Sequence, residues 1–478
     1  MFRIWGLSSS KSVLPKGSRE FFSELQLLWV IGACWRSRLL GGVKNFPSPT
    51  DFLGWPWKFG LYWLFFAWFC LFSFQAFGVF MTMPFLNGSS PTRCPKSIFS
   101  GAAQVLTSLL LGAGIWGVAQ AQDVVKIGHV GPLSGPIAHL GKDNENGARL
   151  AIEELNAKGV VIGGKKVRLE LLTEDDASEP KQATAVAQKL IDAQVKGVIG
   201  HLNSGTTIPA SKIYNDEGVP QISPSATNPK YTRQGFKTAF RVVADDVHLG
   251  GLLGQYAVKN LKGHLIAVID DRTAYGQGVA DEFSKAVVAA GGVMVAREFT
   301  TDKSTDFSPI LTSIKAKKPD IVFFGGMDAV GGPMLKQMKS LGLTAKFMGG
   351  DGICTSELTR LAGDAMADGL VVCAEAGGVD AKQKKELDDF GARYQKRFNT
   401  EVKLYAPYVY DALNLMVAAM VKAGSAEPVK YLPFLAQTSD YKGVTGTISF
   451  DAKGDIKNGA LTLYTYKGGK REVIEVVH

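Results

Sequence analysis

Residues 124–155 read VVKIGHVGPLSGPIAHLGKDNENGARLAIEEL. The first seven residues, 124–130, are mostly apolar and β-branched, which is typical of a buried strand. After a segment with glycine and proline, Ala148, Ile152 and Leu155 recur at the spacing of one helix face. The stretch therefore predicts the first strand and helix of a βαβ unit, in which helices cover a parallel sheet.

The alternation of strand and helix continues along the chain. Further strands are predicted at 167–172, 198–200, 221–222, 265–270, 293–299, 321–324, 347–349 and 371–373. Helical patterns lie at 183–191, 206–217, 276–290, 307–317, 329–341, 355–362, 381–398 and 408–423, and paired strands are expected at 446–450 and 460–466. We therefore expect an α/β fold with two doubly wound parallel-sheet lobes joined by a hinge.

The strand and helix units fall into two sets, each of about one domain's length. Lobe 1 is expected to contain residues 122–243 plus 375–443, and lobe 2 residues 244–374 plus 444–478. The stretch 238–246 should carry the chain from the first lobe to the second.

Charge is distributed unevenly along the chain. Residues 1–121 hold ten of the 53 basic and three of the 44 acidic residues, so most of the formal net charge of +9 belongs to this front part. The remainder is almost neutral and has no basic run, which argues against a nucleic-acid partner.

The front part contains two hydrophobic segments. Residues 93–121 have the three parts of a secretory signal: Arg93 and Lys96, an apolar stretch, and an Ala-Gln-Ala cleavage pattern before Gln122. Upstream, 59–80 is apolar and long enough to cross a bilayer. We expect residues 1–92 to be a non-native extension ahead of the signal, of which 1 to about 82 are not translated because the true start is Met81 or Met83. The alternative is that 59–80 is a membrane anchor.

Candidate binding residues follow predicted strands. Parallel sheets bind ligands in the crevice at the carboxyl ends of their strands. Ser204 lies at a helix N-terminus, which favours an anion such as a carboxylate. Ser225 and Thr227 follow the next strand, Tyr275 leaves a strand of lobe 2, and Asp351 stands between two glycines. Taken singly, each is also explained as a helix cap or an ordinary polar turn.

Catalytic and cofactor motifs have little support. The segment 128–135 lacks the spacing of a dinucleotide-binding loop, and its prolines oppose a helix start. No nucleophile elbow occurs in the sequence, and His129, His139 and His201 are best explained as core or solvated residues. We expect no catalytic residues, no metal and no cofactor, although an α/β enzyme remains an alternative.

Two cysteines, Cys354 and Cys373, occur after residue 122. They are either buried free thiols or one disulfide, and export favours the disulfide. Neither has a second cysteine or a histidine at the spacing of a metal site.

Six motifs together resemble the leucine/isoleucine/valine-binding protein family, the periplasmic substrate-binding proteins of branched-chain amino-acid ABC transporters. They are VKIG…GPLSG (125–135), DDASEPKQA (175–183), VIGHL (198–202), ISPSAT (222–227), YGQG (275–278) and FMGGDG (347–352). The resemblance covers 123–460 and implies a type I periplasmic binding protein fold.

The resemblance also implies roles for individual residues. The hydroxyls of Ser204 and Thr227 would hold the ligand α-carboxylate, and the backbone carbonyl of Ser225 would meet the α-ammonium. Asp351, where the family usually has glutamate, would pair with the same ammonium. Tyr275 would reach the ligand from lobe 2.

Some positions depart from the family. Leu140 and Met327 stand where leucine-type receptors place tyrosines around the ligand side chain. Asn203 and the neighbourhood of Lys181 lack the cysteines that form a lobe 1 disulfide in those relatives. The ligand head-group site is therefore expected to be retained, whereas the pocket for the ligand side chain is expected to be altered from that of the leucine-type receptors.

The expected function is a monomeric periplasmic receptor that captures an amino acid or analogue and delivers it to an inner-membrane ABC permease. The expected mechanism is hinge closure, in which a ligand that contacts both lobes favours the closed state. The alternative from a different class is an extracytoplasmic sensing module that the 59–80 segment anchors.

The secretory signal generates a first prediction. The protein recovered from the periplasm should begin at Gln122, because the cleavage pattern ends at Ala121. Edman degradation or intact-mass analysis checks this, and recovery of a chain that still carries 59–80 would contradict it.

Overall fold

The computed structural model describes residues 122–378 and 384–477. Its strands are β1 (Asp123–Gly131), β2 (Val161–Ile162), β3 (Lys165–Asp175), β4 (Val198–Gly200), β5 (Gln221–Ser223), β6 (Ala239–Arg241), β7 (Leu265–Asp270), β8 (Val293–Phe299), β9 (Ile321–Gly325), β10 (Lys346–Gly349), β11 (Val371–Glu375), β12 (Tyr441–Gly443), β13 (Gly446–Ile448), β14 (Leu461–Lys467) and β15 (Lys470–Val477).

The helices alternate with these strands. They are α1 (Ala138–Lys158), α2 (Pro180–Asp192), α3 (Ser204–Asp216), α4 (Asp246–Lys259), α5 (Ala274–Ala289), α6 (Ser308–Ala316), α7 (Asp328–Ser340), α8 (Leu358–Ala362), α9 (Lys384–Phe398), α10 (Ala406–Ala423) and α11 (Pro428–Ala436). A 3₁₀ turn, Asp351–Ile353, follows β10. Among the described residues, no helix is both long and apolar enough to cross a membrane.

Two sheets form the centres of the two lobes. The lobe 1 sheet has the order β2-β3-β1-β4-β5-β6 and is parallel except at β2. The lobe 2 sheet has the order β15-β14-β11-β10-β9-β7-β8, in which β14 alone runs antiparallel to the other strands and so pairs antiparallel with both β11 and β15. The expected α/β fold with two parallel-sheet lobes is confirmed.

The opening strand and helix fold as their sequence predicts. β1 is buried along its second half, and α1 packs on β1 and β3 with Ala148, Ala151 and Ile152 inward. α1 ends at Gly159, which adopts a φ of +78° that glycine tolerates readily. On its other side, α1 packs against α9 and α10, so helices from both ends of the chain enclose lobe 1.

Three segments cross between the lobes. The first is 242–245, between β6 and α4, and lies inside the predicted stretch 238–246. The second begins after β11, where the Ala376 carbonyl accepts a hydrogen bond from the Ala244 N–H at 2.9 Å. The third joins the hairpin β12–β13 to β14. Adjacent crossings that bond to each other can bend as one hinge.

The end of the chain differs from the prediction in its strand pairing and in the place where the chain returns to lobe 2. Strands 446–450 and 460–466 were expected to pair, but β13 pairs with β12 and β14 pairs with β11 and β15. The expected boundary after residue 443 also falls within the β12–β13 hairpin, which the lobe 1 residue Asp411 holds through the N–H groups of Val444 and Thr445. We therefore propose that the third crossing lies after Asn458.

A disulfide joins Cys354, after the 3₁₀ turn, to Cys373 in β11, with the Cα atoms 5.4 Å apart. The expected bond is confirmed, and both residues are buried in the lobe 2 core. The bond fixes the end of β10 and the turn that carries Asp351 to the neighbouring strand.

The disulfide generates a second prediction. Replacing both cysteines with alanine should lower the free energy of unfolding by about 3 kcal/mol, because the bond restricts a loop of 19 residues in the unfolded chain. Urea unfolding of the oxidised protein, the reduced protein and the double variant measures this. The reduced protein should match the variant, and a loss below about 0.5 kcal/mol would contradict the expectation.

Candidate functional site

Lobe 1 contributes the N-terminus of α3 to the cleft. Asn203 precedes the helix, and its carbonyl accepts hydrogen bonds from the N–H groups of Thr206 and Thr207 at 3.1 and 2.9 Å. The Ser204 hydroxyl oxygen accepts from the Asn228 N–H at 3.2 Å, so its own proton remains available to a ligand. A helix N-terminus with a free hydroxyl proton favours an anionic group.

The loop after β5 forms the second part of the lobe 1 surface. The Ser223 hydroxyl oxygen accepts from the Ala226 N–H at 2.9 Å, which tightens the loop. The Ser225 hydroxyl donates to the Leu202 carbonyl at 2.9 Å, which ties the loop to the segment before α3. The two strand-end segments are therefore held together as one surface.

Arg241 at the end of β6 supports this loop from behind. Its guanidinium is fully buried and donates to the Ala226 carbonyl at 2.7 Å and the Asn228 carbonyl at 3.1 Å. It also pairs at 2.6 Å with Asp455, which lies in the segment that leads from β13 to the third crossing. The binding loop and the chain that leads into the hinge thus share one cation.

Lobe 2 presents Asp351 directly after β10. A side chain at Gly350 would place its Cβ 2.7 Å from the Tyr275 hydroxyl, and one at Gly352 would lie 2.5 Å from the Gly326 carbonyl. Glycine is therefore required on both sides of Asp351, because the neighbouring segments approach the backbone too closely for a side chain. The Tyr275 hydroxyl oxygen accepts from the Gly352 N–H at 3.0 Å.

Tyr405 crosses the cleft from lobe 1. It precedes α10, is buried, and donates its hydroxyl to Asp351 Oδ2 at 2.8 Å. Asp143 of α1 holds the Tyr405 segment in place, since its carboxylate accepts from the N–H groups of Lys403, Leu404 and Ala406 at 2.9–3.0 Å. A buried carboxylate with three backbone donors fixes this segment firmly.

The charge of the site is negative. Burial raises the pKa of Asp351 to about 6, and the Tyr275 and Tyr405 hydroxyls act in the opposite direction. Asp351 Oδ1 has no hydrogen-bond partner within the described part of the chain. Burial, and to a lesser degree the nearby charge of Asp351, also raise the pKa of Asp246, which is fully buried at the start of α4.

A cavity of about 210 Å³ lies between these groups. It is lined by Leu202, Asn203, Ser204, Ser225, Tyr275, Met327, Asp351 and Tyr405. Five of the seven sequence-predicted binding residues therefore line one cavity, and both lobes contribute to it.

The other two predicted residues do not line this cavity. Thr227 is fully buried, and its hydroxyl has no partner among residues whose positions are described; its carbonyl accepts from the Asp246 N–H at 2.9 Å. Leu140 is fully buried in α1. Their proposed contacts with a ligand remain predictions.

Sequence reasoning missed Tyr405, Leu202 and the supporting residues Asp143 and Arg241. Tyr405 had only one local signal, its position directly before the helix-starting residues Ala406 and Pro407. The others act through contacts between distant parts of the chain, which no local pattern indicates.

The histidines differ from one another. His129 and His201 are fully buried, and the His201 ring bonds to Asp176 at 2.8 Å and to the Tyr214 hydroxyl at 3.1 Å. His139 instead faces lobe 2. In 122–378 and 384–477, no three histidine, cysteine or acidic side chains are grouped as metal ligands would be.

A larger cavity of about 640 Å³ lies at the crossing segments, lined by residues such as Val243, Gly377 and Gly459. No charged side chain lines it, so it lacks the convergent polar groups that mark a site for a charged ligand. We therefore take the smaller cavity as the candidate site.

Two parallel-sheet lobes that enclose a polar site at their strand ends define a two-lobe ligand-binding protein. The chain belongs to the periplasmic binding protein family, whose model matches residues 124–470. Members of this family act in the periplasm. The resemblance of the six sequence motifs to this class of protein is confirmed.

Individual relatives are similar over most of this chain. It is 37% identical over 354 residues to the leucine-, isoleucine-, valine-, threonine-, and alanine-binding protein of Pseudomonas aeruginosa, covering 74% of this chain and 93% of that protein. It is 38% identical over 374 residues to Leu/Ile/Val-binding protein homolog 1 of Brucella abortus, covering 78% and 97%. The branched-chain amino acid transporter substrate-binding protein LivJ of Streptococcus pneumoniae, solved with isoleucine, is 29% identical with a TM-score of 0.68, covering 74% and 99%.

The hydroxyl of Tyr405 generates a third prediction. In Tyr405→Phe the pKa of Asp351 should rise above about 6, because the ionised carboxylate loses a hydrogen bond that stabilises it. Carboxyl-carbon NMR titration of the closed form of wild type and variant measures this as a difference in pKa, because Tyr405 and Asp351 lie on different lobes and meet only when the lobes are closed. Tyr410→Phe, within α10 and bonded to Glu154, is the control and should leave the pKa of Asp351 unchanged; an equal shift in both variants would count against the contact.

Proposed function

We propose that this protein is a periplasmic receptor for an amino acid with an apolar side chain, branched-chain or smaller, which it delivers to an inner-membrane ABC importer. The observation that carries the proposal is the buried carboxylate of Asp351 beside the cavity, one oxygen of which accepts no hydrogen bond from any residue that the structure describes. An ionised carboxylate in such a place requires a cation.

The opposite side of the cavity suits the other charge of a zwitterion. Ser204 offers a hydroxyl proton at the start of α3, where the helix dipole favours an anion. The α-carboxylate of an amino acid would bind there, and its α-ammonium would bind Asp351. The names of the relatives support an amino acid in particular.

The rest of the cavity favours an apolar ligand side chain. Leu202 and Met327 line it, and Asp351 is the one ionisable acid or base among its lining residues, apart from the tyrosine hydroxyls. An acidic ligand side chain would therefore find no opposite charge there, and a basic one would find only Asp351, which the α-ammonium would already occupy.

Ligand binding would be coupled to closure. Ser204 and Ser225 belong to lobe 1, whereas Tyr275, Met327 and Asp351 belong to lobe 2. A ligand that bonds to both sets stabilises the closed state over the open one, by as much as its contacts differ between the two states. Closure would then be the signal that the permease recognises.

The proposed function places the protein outside the cytoplasm. We propose that residues 93–121 are the export signal and that the mature receptor acts as a monomer. Both segments that precede Gln122, 59–80 and 93–121, lie outside the described residues.

Asp351 generates a fourth prediction. Asp351→Ala should weaken binding by about 30-fold to several thousand-fold, because losing one partner of a desolvated charge pair costs about 2–5 kcal/mol. Calorimetry with L-leucine, L-isoleucine, L-valine, L-threonine and L-alanine measures this, after mass spectrometry of any ligand that co-purifies.

The matched control is Asp364→Ala. Asp364 is also a lobe 2 carboxylate, but it is exposed and pairs with Lys339 on the surface. The Asp364→Ala substitution should change ligand affinity by less than about twofold. A loss below about fivefold in Asp351→Ala would mean that Asp351 does not contact a ligand ammonium, and the amino-acid proposal would fall.

A further inference from the structure

A second polar contact crosses the cleft beside the cavity. His139 of α1 in lobe 1 bonds through Nε2 to Asp328 Oδ2 of α7 in lobe 2, at 2.9 Å. The Asp328 side chain is fully buried, whereas that of His139 keeps 20% of its exposure. The Thr355 hydroxyl donates to the same Asp328 oxygen at 2.5 Å, and Asp328 Oδ1 has no partner in the described ranges.

Other charged groups surround this pair. From lobe 2, Glu357 pairs with Arg360 at 2.6 Å, and it meets Lys403 of lobe 1 at 2.8 Å. On α1 itself, Lys142 is exposed and Asp143 is occupied by the backbone of the Tyr405 segment. His139 is therefore the group in this cluster whose ordinary pKa lies nearest to neutral pH.

The pair lies next to the side-chain end of the proposed site. His139 precedes Leu140, and Asp328 follows Met327, which lines the cavity. The two residues can touch only when the lobes are closed, because each belongs to a different lobe. Any change in the strength of their contact is therefore a change in the closure equilibrium.

We propose that His139 and Asp328 form a pH-responsive clasp that favours the closed receptor, and thus tighter ligand binding, when His139 is protonated. The proposal rests on the proposed function only for its effect on affinity. Its effect on closure does not depend on which ligand the receptor takes.

The direction of the pH effect on closure follows from the surroundings of the His139 imidazole. Burial opposes protonation, but the hydrogen bond to Asp328 and the charges of Asp328 and Glu357 outweigh it, so the pKa of His139 in the closed state is raised above its ordinary value. In the open state, His139 loses Asp328 and its pKa returns toward that value. Protonation therefore favours closure below the ordinary pKa, and this contribution is lost as the pH rises through the raised pKa.

The test compares wild type with His139→Gln, since glutamine keeps a neutral hydrogen-bond donor but cannot gain the charge. With L-leucine as the probe, calorimetry should give a Kd for the variant about three- to tenfold weaker than wild type at pH 5.5. At pH 8.5 the Kd values of wild type and His139→Gln should agree within about twofold. Protonation of Asp351 at low pH affects both proteins alike and cancels in this ratio.

Two matched controls separate the clasp from general effects. Lys303→Met removes another pair between the lobes, with Glu179, but that pair is exposed and lysine does not titrate in this range. His248→Gln removes an imidazole that bonds to Asp245 next to the first crossing. In both controls, the ratio of the variant's Kd to the wild-type Kd should be the same at pH 5.5 and pH 8.5.

A ligand-free measurement distinguishes failure of the clasp from failure of the amino-acid proposal. Spin labels at the exposed positions Lys181 in lobe 1 and Lys317 in lobe 2 report lobe separation by electron resonance. The closed fraction should be larger at pH 5.5 than at pH 8.5 in wild type, but not in His139→Gln. If L-leucine fails to bind, this measurement alone decides, and equal pH dependence in both proteins overturns the clasp.

Discussion

The buried guanidinium of Arg241 is the contact on which the binding architecture depends. It bonds to two carbonyls of the Ala226–Asn228 loop, to the Thr232 hydroxyl and to Asp455. Loop residues would otherwise leave buried carbonyls without donors, which is costly. Because Asp455 lies in the segment between β13 and the third crossing, the same cation joins the lobe 1 binding surface to the chain that leads into the hinge. A movement of the hinge is thus connected to the geometry of the site through one side chain.

Much of the fold could be predicted from local patterns. Strands such as β1, β7 and β9 are apolar runs, and the helices between them show one inward face. The rule that parallel sheets bind ligands at their carboxyl ends then selected Ser204, Ser225, Tyr275 and Asp351, which do line one cavity. The glycines beside Asp351 were a useful signal, because close packing of the segments around that turn is what requires them.

What could not be predicted depends on contacts between distant segments. Tyr405 reaches Asp351 only because Asp143, more than 250 positions earlier, holds its backbone. The prediction that β13 and β14 pair with each other was wrong for a similar reason. The chain crosses to lobe 2 between these strands, and each strand pairs with a strand of its own lobe. Periodicity describes one element at a time and contains no information on which lobe the element joins.

The electrostatics of the cleft explain why closure should wait for a ligand. Asp351 and Asp246 are both fully buried, and the charge of Asp351 adds to the effect of burial in raising the pKa of Asp246. The buried cation Arg241 uses its donors on the loop and on Asp455. Closing the lobes over an ionised Asp351 therefore removes water from a carboxylate that the protein alone does not neutralise. Tyr405 offsets part of this cost with one hydrogen bond, and leaves Oδ1 for another donor. A ligand ammonium supplies both the charge and the missing donor, so the closed state is disfavoured until the ligand that fits it arrives.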